Sequence, residues 1–600
     1  MFLPTTKKEM QERGWDQLDI ILISGDAYID HASFGVAIIG RHLESVGYRV
    51  GIIAQPDWKK NDDFAKLGKP KLFFGVTAGN LDSIVNHYTA QRKLRSEDAF
   101  SPDGKIGLRP NLPSIVYTQK IKQLFNDVPV ILGGVGASTR RLVHYDYYSD
   151  KIRNSILFDS KADILVYGMG EHPVMEIAHQ LASEKDISEL SDIKGTVVIT
   201  NKPTNNVFMP EYHKNFSKEE FYQTAKIFED NYREKAVYQK YLNRYLKHNP
   251  PSEPLTQEEM DSVYALPFER KPHPMYEGKK LAAFEQIKNS VTSHRGCFGG
   301  CAFCAIGYHQ GKTISSRSQK SVANEIAEIT KTPGFHGTIS DVGGPSANMY
   351  GMYCKEGISQ VCKRRSCLFP DICPNLETSH QPNLKLLKYC SNIKNVDHLF
   401  IASGIRFDLA LNEDKYIKQI AQNYISGLLK LAPEHINITT LKAMNKPSFD
   451  KYQEFGKKFG MYSELAGKNQ SIVPYMIVGH PGSDLRAAIE LAIYLKRNNI
   501  RLRQIQEFTP TAMTESTLAY VTGKTLSGNK VHVPRGREIR LQKALVQWYD
   551  PKNKKLIIEA LKMAGRMDLL DFFFGKIKLE NPEIKSDDFK RRRNKSKKNK

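Results

Sequence analysis

Three cysteines carry the clearest chemical signal in this chain. Cys297, Cys301 and Cys304 lie in the run Arg295-Gly-Cys-Phe-Gly-Gly-Cys-Ala-Phe-Cys304, a C-x3-C-x2-C pattern. Three thiolates gathered on one loop suit a soft iron–sulfur cluster. A four-iron cube held by three cysteines leaves one iron without a protein ligand, and an open metal position is where small-molecule chemistry takes place. Gly296, Gly299 and Gly300 fit that use. Residues without Cβ let backbone approach a bulky group and adopt left-handed dihedrals. The competing reading is zinc, which wants four ligands. His294 and His309 are the nearest candidates for the fourth.

A second cysteine group follows. Cys354, Cys362, Cys367 and Cys373 have the spacing C-x7-C-x4-C-x5-C, with Pro374 next; Cys390 completes the eight cysteines of the chain. The segment 344–395 is too long for an ordinary strand-to-helix loop and reads as an insertion. Four thiols there suit an auxiliary iron–sulfur cluster or a structural zinc, with free thiols as the plainer alternative. Four ligands would close such a site, which implies a structural or electron-relay role. Disulfides are not expected in a reducing compartment.

The elements that must position these residues are legible as alternation. After the first cysteine loop come apolar runs that end in glycine or polar residues: Gly337 to Pro345, Val396 to Asp408, Gly427 to His435, Ile472 to Gly482 and Leu502 to Pro510. Helical patterns separate them, for example Lys320 to Thr330 and Asp484 to Asn498. Strands alternating with helices predict a parallel sheet, with ligands at the strands' C-terminal ends. The N-terminal part alternates too. Leu18 to Ser24, Tyr48 to Ala54, Lys71 to Val76, Val128 to Leu132 and Ala162 to Tyr167 read as strands; Gly35 to Gly47 and Ile115 to Phe125 read as helices. This is a doubly wound α/β pattern. The turn Gly133 to Ser138 either lines a phosphate or cofactor edge or serves only tight turning. His31 reads as a polar loop residue.

The expected organisation is a Rossmann-like α/β domain over 1–200 and a helical linker region over 201–285. A core barrel follows over 286–525, with a Cys-rich insertion at 345–395. A helical C-terminal region (526–575) and a basic, disordered tail (576–600) complete it. The net charge is +22, and the last eleven residues hold eight Lys or Arg and no acid. Such tails bind nucleic acid through phosphates, or are simply solvated. No apolar run approaches a membrane span, and the N-terminus lacks a signal peptide's apolar core. A cytoplasmic location is the expectation.

The cysteine pattern, with aromatic Phe303 before its last member, resembles the signature of the radical S-adenosylmethionine (radical SAM) superfamily. The runs Asp26-Ala-Tyr-Ile-Asp-His31, Ser293-His-Arg-Gly-Cys297, Ser403-Gly-Ile-Arg-Phe-Asp408 and Lys430-Leu-Ala-Pro-Glu-His435, with the second cysteine group, narrow the resemblance to YgiQ-type members. Ala32 stands where that group usually has Pro. The resemblance implies a partial (β/α)6 barrel behind a cobalamin-binding-like domain. It implies a [4Fe–4S] cluster on Cys297, Cys301 and Cys304, SAM on the open iron, and an electron donor such as flavodoxin or ferredoxin. Phe303 and the Gly343-Gly344 segment would position SAM; Pro345 replaces the family's acidic residue there. Arg406, Asp408, Glu434, His435 and Glu507 are candidates for substrate or ribose contacts. The substrate, and with it any catalytic acid or base, stays unassigned. Cobalamin is not supported by a lower-ligand motif, because Asp30 and His31 are adjacent and Asp-x-His-x-x-Gly is absent. Two alternatives accompany this reading: methyl or methylthio transfer to RNA within the same superfamily, and a non-catalytic zinc and nucleic-acid-binding module.

Overall fold

The computed structural model describes residues 1–357 and 362–575. The basic tail 576–600 lies outside the described residues. The N-terminal sheet begins with β1 (Ile20–Ser24), β2 (Val50–Ala54), β3 (Phe73–Thr77), β4 (Val130–Gly133) and β5 (Ile164–Val166), all paired in parallel. Every residue of β1 and β2 is buried, as in strands covered on both faces. Ile20 and Leu22 pack with Val36 and Ala37 of α1 (Gly35–Ser45). Ile21 and Ile23 pack with Tyr117 and Ile121 of α2 (Pro113–Leu124) on the other face. The period of two thus assigns each helix its side.

The region 201–285 departs from the expected helical linker. It contains one long helix, α3 (Lys218–Asn231), and strands β7 (Phe208–Met209), β8 (Val237–Tyr241) and β9 (Arg244–His248). With β6 (Thr196–Thr200) these extend the sheet to the order β2-β1-β3-β4-β5-β6-β9-β8-β7. Tyr238, Tyr241 and Tyr245 are strand formers, and a helical reading of their charged neighbours overlooked the two-residue turn between β8 and β9.

The second domain is a partial barrel of parallel ladders whose six strand positions comprise seven strands. β10 (Ser290–Thr292) pairs with β12 (Asp341–Gly343), and β11 (Thr338–Ile339) pairs with β13 (His398–Leu399), β11 and β12 being one run broken at Ser340. β14 (Leu428–Glu434) pairs with β15 (Ser471–Val478), which pairs with β16 (Gln506–Glu507). On β14, Leu429 and Leu431 are buried against the helical layer, whereas Leu428 and Lys430 are exposed on the lumen side. Helices α4 (Gln319–Ile329), α5 (Gln381–Ser391) and α6 (Phe449–Leu465) supply that layer. Two strands are shorter than their apolar runs. Beyond β13 the Asp341 carboxylate, not a neighbouring strand, accepts the amides of Ala402 (2.8 Å) and Ser403 (3.0 Å). β16 is an edge strand with a partner on one side only.

The cysteine-rich insertion is also shorter than expected. α5 is an ordinary barrel helix, and Cys390 on it is a buried core residue. The irregular part therefore ends near His380. Helices α8 (Arg537–Val546) and α9 (Lys554–Met563) pack Leu541, Leu545, Ile557 and Leu561 onto Ala488, Ile489 and Ala492 of α7 (Leu485–Arg497). Among the described residues no helix is long and apolar enough to cross a membrane.

The two domains are joined by buried polar contacts. Glu325 of α4 is ion-paired with Arg317 and Arg270 and lies 3.1 Å from His31 Nε2. Burial pushes its carboxyl up, but Arg317, Arg270 and His31 together hold it well below the usual range. His31, read as a polar loop residue, lies in a loop and is a buried contact between the domains. It opens three successive non-glycine residues with left-handed backbone: His31 (φ 109°), Ala32 (47°) and Ser33 (62°). Such strain persists only where surroundings over-determine it, and Ser33 Oγ is held 2.8 Å from Thr292 Oγ1 of β10. Glu325→Gln leaves two buried cations without their partner. We expect a loss of about 3–5 kcal/mol, read from urea unfolding beside the parent; a change under about 0.5 kcal/mol, typical of surface sites, would refute the clamp.

Candidate functional site

The cysteine loop leaves the C-terminal end of β10 through His294 and Arg295. Its shape demands glycine at two positions. Gly296 (φ +88°) would place a Cβ 1.8 Å from Thr313 O, and Gly300 (φ +60°) would place one 2.6 Å from Ser366 Cβ. Cys297, Cys301 and Cys304 are free thiols, each partly accessible. Burial, then the neighbouring Cys301, pushes the Cys304 thiol up to about 12, and burial raises Cys297 likewise. Bare, the Cys297 and Cys304 thiols would stay protonated; a bound metal would hold them as thiolates.

Cations face these sulfurs. Arg406 Nη1 donates to Cys301 Sγ at 3.4 Å. The same guanidinium is held by Asp408 through Nε (2.8 Å) and Nη2 (2.6 Å), a bidentate geometry that fixes its plane. Asn348 Oδ1 accepts the Arg406 amide at 2.8 Å. Lys446 Nζ lies 3.6 Å from Glu434, and both are buried. Glu434 has a left-handed backbone (φ 68°), and burial raises its carboxyl despite Lys446. Arg406, Asp408 and Glu434, all expected at the site, are brought together beside the cysteine loop. Lys446 and Asn348 carried no sequence signal, because both are supplied by folding from distant segments.

Two expected residues are elsewhere. His435 is buried, with Nδ1 accepting the Asn437 amide at 3.0 Å, and burial drives its pKa down to about 4. It shapes the turn after β14. Glu507 is engaged on the barrel's edge by Lys543 (2.6 Å) and Gln91 (2.8 Å). The two histidines named as a fourth zinc ligand are both engaged in hydrogen bonds. Both ring nitrogens of His294 are bonded, to Ser293 Oγ (2.9 Å) and Ser346 O (3.1 Å), and His309 Nδ1 is bonded to Ser138 Oγ (3.0 Å). Among the described residues no three His, Cys, Asp or Glu side chains are grouped to hold a single metal ion. A tetrahedral zinc would need its thiolates nearly touching, whereas a cube spreads its ligands further. The soft donors, glycine cradle and facing cations fit a cluster.

Phe303 seats the loop: its ring meets His480 edge-on (6.0 Å), and it packs in the group containing Ile477 and Phe508. At Gly343 a Cβ would stand 2.0 Å from Ser403 Oγ, and at Gly344 2.7 Å from the His294 ring. Close packing alone thus requires both glycines. Both also border a cavity of about 530 Å³ between the domains. Asp26, Thr77 and Gly134 line it from the N-terminal sheet, and Arg295 and His309 from the barrel. It opens where strand order reverses between β1 and β3, the usual ligand crevice of a doubly wound sheet.

His31 faces Glu325, and the histidines lining the cavity, His294 and His309, come from the barrel. The Gly133 to Ser138 turn combines tight packing at Gly134 with a place on the cavity wall, where Gly133 and Val135 also stand. A Cβ on Gly134 (φ +81°) would lie 2.3 Å from Thr77 Oγ1, and Ser138 Oγ accepts the Gly168 amide at 3.1 Å. The cavity wall is tied across domains by Arg295–Glu171 (2.5 Å) and by Ser138–His309.

The Radical SAM N-terminal family profile matches residues 2–290, and a domain of unknown function, DUF3362, matches residues 503–599. UPF0313 protein YgiQ of Escherichia coli K12 is 44% identical over 640 residues, covering 95% of this chain and 87% of that protein. A UPF0313 protein of Geobacter sulfurreducens is 45% identical, covering 94% and 95%. Among solved structures, the radical SAM methyltransferase TsrM of Kitasatospora setae, with tryptophan and a SAM analogue bound, covers 89% of both chains at 13% identity and a TM-score of 0.49.

The glycine cradle can be tested without knowing the substrate. Gly300→Ala should sharply lower the iron held per chain after anaerobic reconstitution. Gly307→Ala, whose Cβ would meet nothing within 4 Å, should not. Equal iron in both variants would remove the steric argument.

Proposed function

The chain belongs to the YgiQ-type (UPF0313) family of radical SAM proteins, and from that premise we propose that it is an enzyme carrying a [4Fe–4S] cluster on Cys297, Cys301 and Cys304. When bound together with SAM, that cluster supplies the electron that breaks a sulfur–carbon bond of SAM, releasing methionine and a 5′-deoxyadenosyl radical able to abstract hydrogen from a substrate. The observation that carries this reading is the trio of thiols on a glycine-cradled loop at the end of the first barrel strand, with Arg406 3.4 Å from Cys301.

The chain's own residues bind, orient and shield. Arg406 supplies positive charge beside the sulfurs, and Asp408 keeps its guanidinium aimed. Phe303 seats the loop against the fifth and sixth strands. The backbone of Gly343 and Gly344 is the SAM-positioning edge. Lys430 and Asp341 share the lumen; burial raises the Asp341 carboxyl, and the Ser403 and Ala402 amides and Lys430 oppose that. The interdomain cavity reaches the same glycines, so a substrate bound there lies against the SAM edge. The electron comes from an external low-potential donor of the flavodoxin or ferredoxin class. A zinc-only module draws no support from the thiol geometry.

Anaerobically reconstituted, reduced protein given SAM should yield 5′-deoxyadenosine by chromatography. Cys297→Ala/Cys301→Ala/Cys304→Ala should yield none. Protein that carries zinc and no iron would overturn the reading. Arg406→Met should shift the cluster's midpoint potential to more negative values, because a nearby cation stabilises the more anionic reduced state. An unchanged potential would strip Arg406 of that role.

A further inference from the structure

We propose that Cys354, Cys362, Cys367 and Cys373 hold a second iron–sulfur centre, closed by four thiolates and seated directly against the first cysteine loop. The chain path brings the four together. Residues 353–355 run beside 375–377, with Glu377 N–H to Tyr353 O and Lys355 N–H to Asn375 O both 2.8 Å. A bridge pairs Cys354 with Leu376, whose amide bonds Cys373 O at 3.0 Å. The Cys373 amide in turn closes on Cys367 O at 2.7 Å. Cys362 is anchored by Arg233 Nη1 to its carbonyl at 2.6 Å.

The charge around these thiols is the second argument. Lys312 is half-buried and bonded to Arg364 O, two residues from Cys362. Neither Lys312 nor Arg233 forms an ion pair with a carboxylate among the described residues; their polar contacts are to backbone carbonyls and the Tyr232 hydroxyl. Four metal-bound thiolates, deprotonated by ligation, would place negative charge beside these two half-buried cations.

The second group is fastened to the first loop. Cys367 N–H bonds Phe298 O at 3.0 Å, and Ser366 Oγ bonds Gly299 O at 2.7 Å. Cys297, Cys367 and Cys373 pack against one apolar group that includes Phe298 and Leu368. An insertion with no role at the site would not require glycine at 300 to admit Ser366.

The test uses the full chain, reconstituted anaerobically with iron and sulfide. The parent should hold about eight irons, and Cys297→Ala/Cys301→Ala/Cys304→Ala about four, with matching sulfide. The reduced triple variant should give an EPR signal that SAM leaves unchanged, because four thiolates leave no open iron. Cys354→Ala/Cys362→Ala/Cys367→Ala/Cys373→Ala should keep about four irons. The triple variant leaves the insertion intact, so misfolding of the quadruple variant does not blunt the result. Zinc, or no metal, in the triple variant overturns the second centre while leaving the first untouched. Iron in the triple variant with none lost from the parent would instead overturn the first.

Discussion

Everything at this site depends on holding three thiols in place without a fourth. A closed four-ligand site organises its own loop, but an open one must be held from outside. Here the holding is done across domains. Arg295, two residues before Cys297, is buried in an ion pair with Glu171 of the N-terminal domain at 2.5 Å, and the guanidinium lies over the Tyr264 ring. His309, five residues after Cys304, is tied to Ser138. Both flanks of the loop are thus anchored on the doubly wound sheet. The N-terminal domain is part of the site's frame, not an appendage to it.

The same logic explains the strained turn after β1. Three consecutive left-handed residues without glycine are expensive to maintain. They persist where Glu325, Arg270 and Arg317 meet His31, and where Ser33 meets Thr292. Removing water from that many charges is tolerable only because each is paired. The reward is a fixed gap between the domains, and the 530 Å³ cavity lies in that gap.

Electrostatics around sulfur is a second theme. Arg406 and Lys446 face the first thiol group; Lys312 and Arg233 face the second. Burial raises the thiols of Cys297, Cys304 and Cys367. The surrounding cations make sense when the sulfurs are ionised, as metal ligands are. The two groups share an apolar wall and two hydrogen bonds, so a change of charge at one is felt by the other at short range.

The sequence by itself determined the alternation of strands and helices, the three-cysteine signature and its YgiQ-type resemblance. Each is a local property: side-chain period two or 3.6, and ligand spacing within one loop. Arg406, Asp408 and Glu434 were legible as polar residues at strand ends, because position on a strand fixes which end they reach. Local pattern failed where the outcome depended on a distant partner. The β8–β9 hairpin looked helical until the sheet edge beside β6 claimed it. His435 and Glu507 looked like site residues until Asn437 and Lys543 engaged them. Lys446, Asn348, the Arg295–Glu171 pair and the cavity between the domains exist only as meetings of remote segments. Such meetings are selected by burial and charge pairing in three dimensions, which no one-dimensional pattern records.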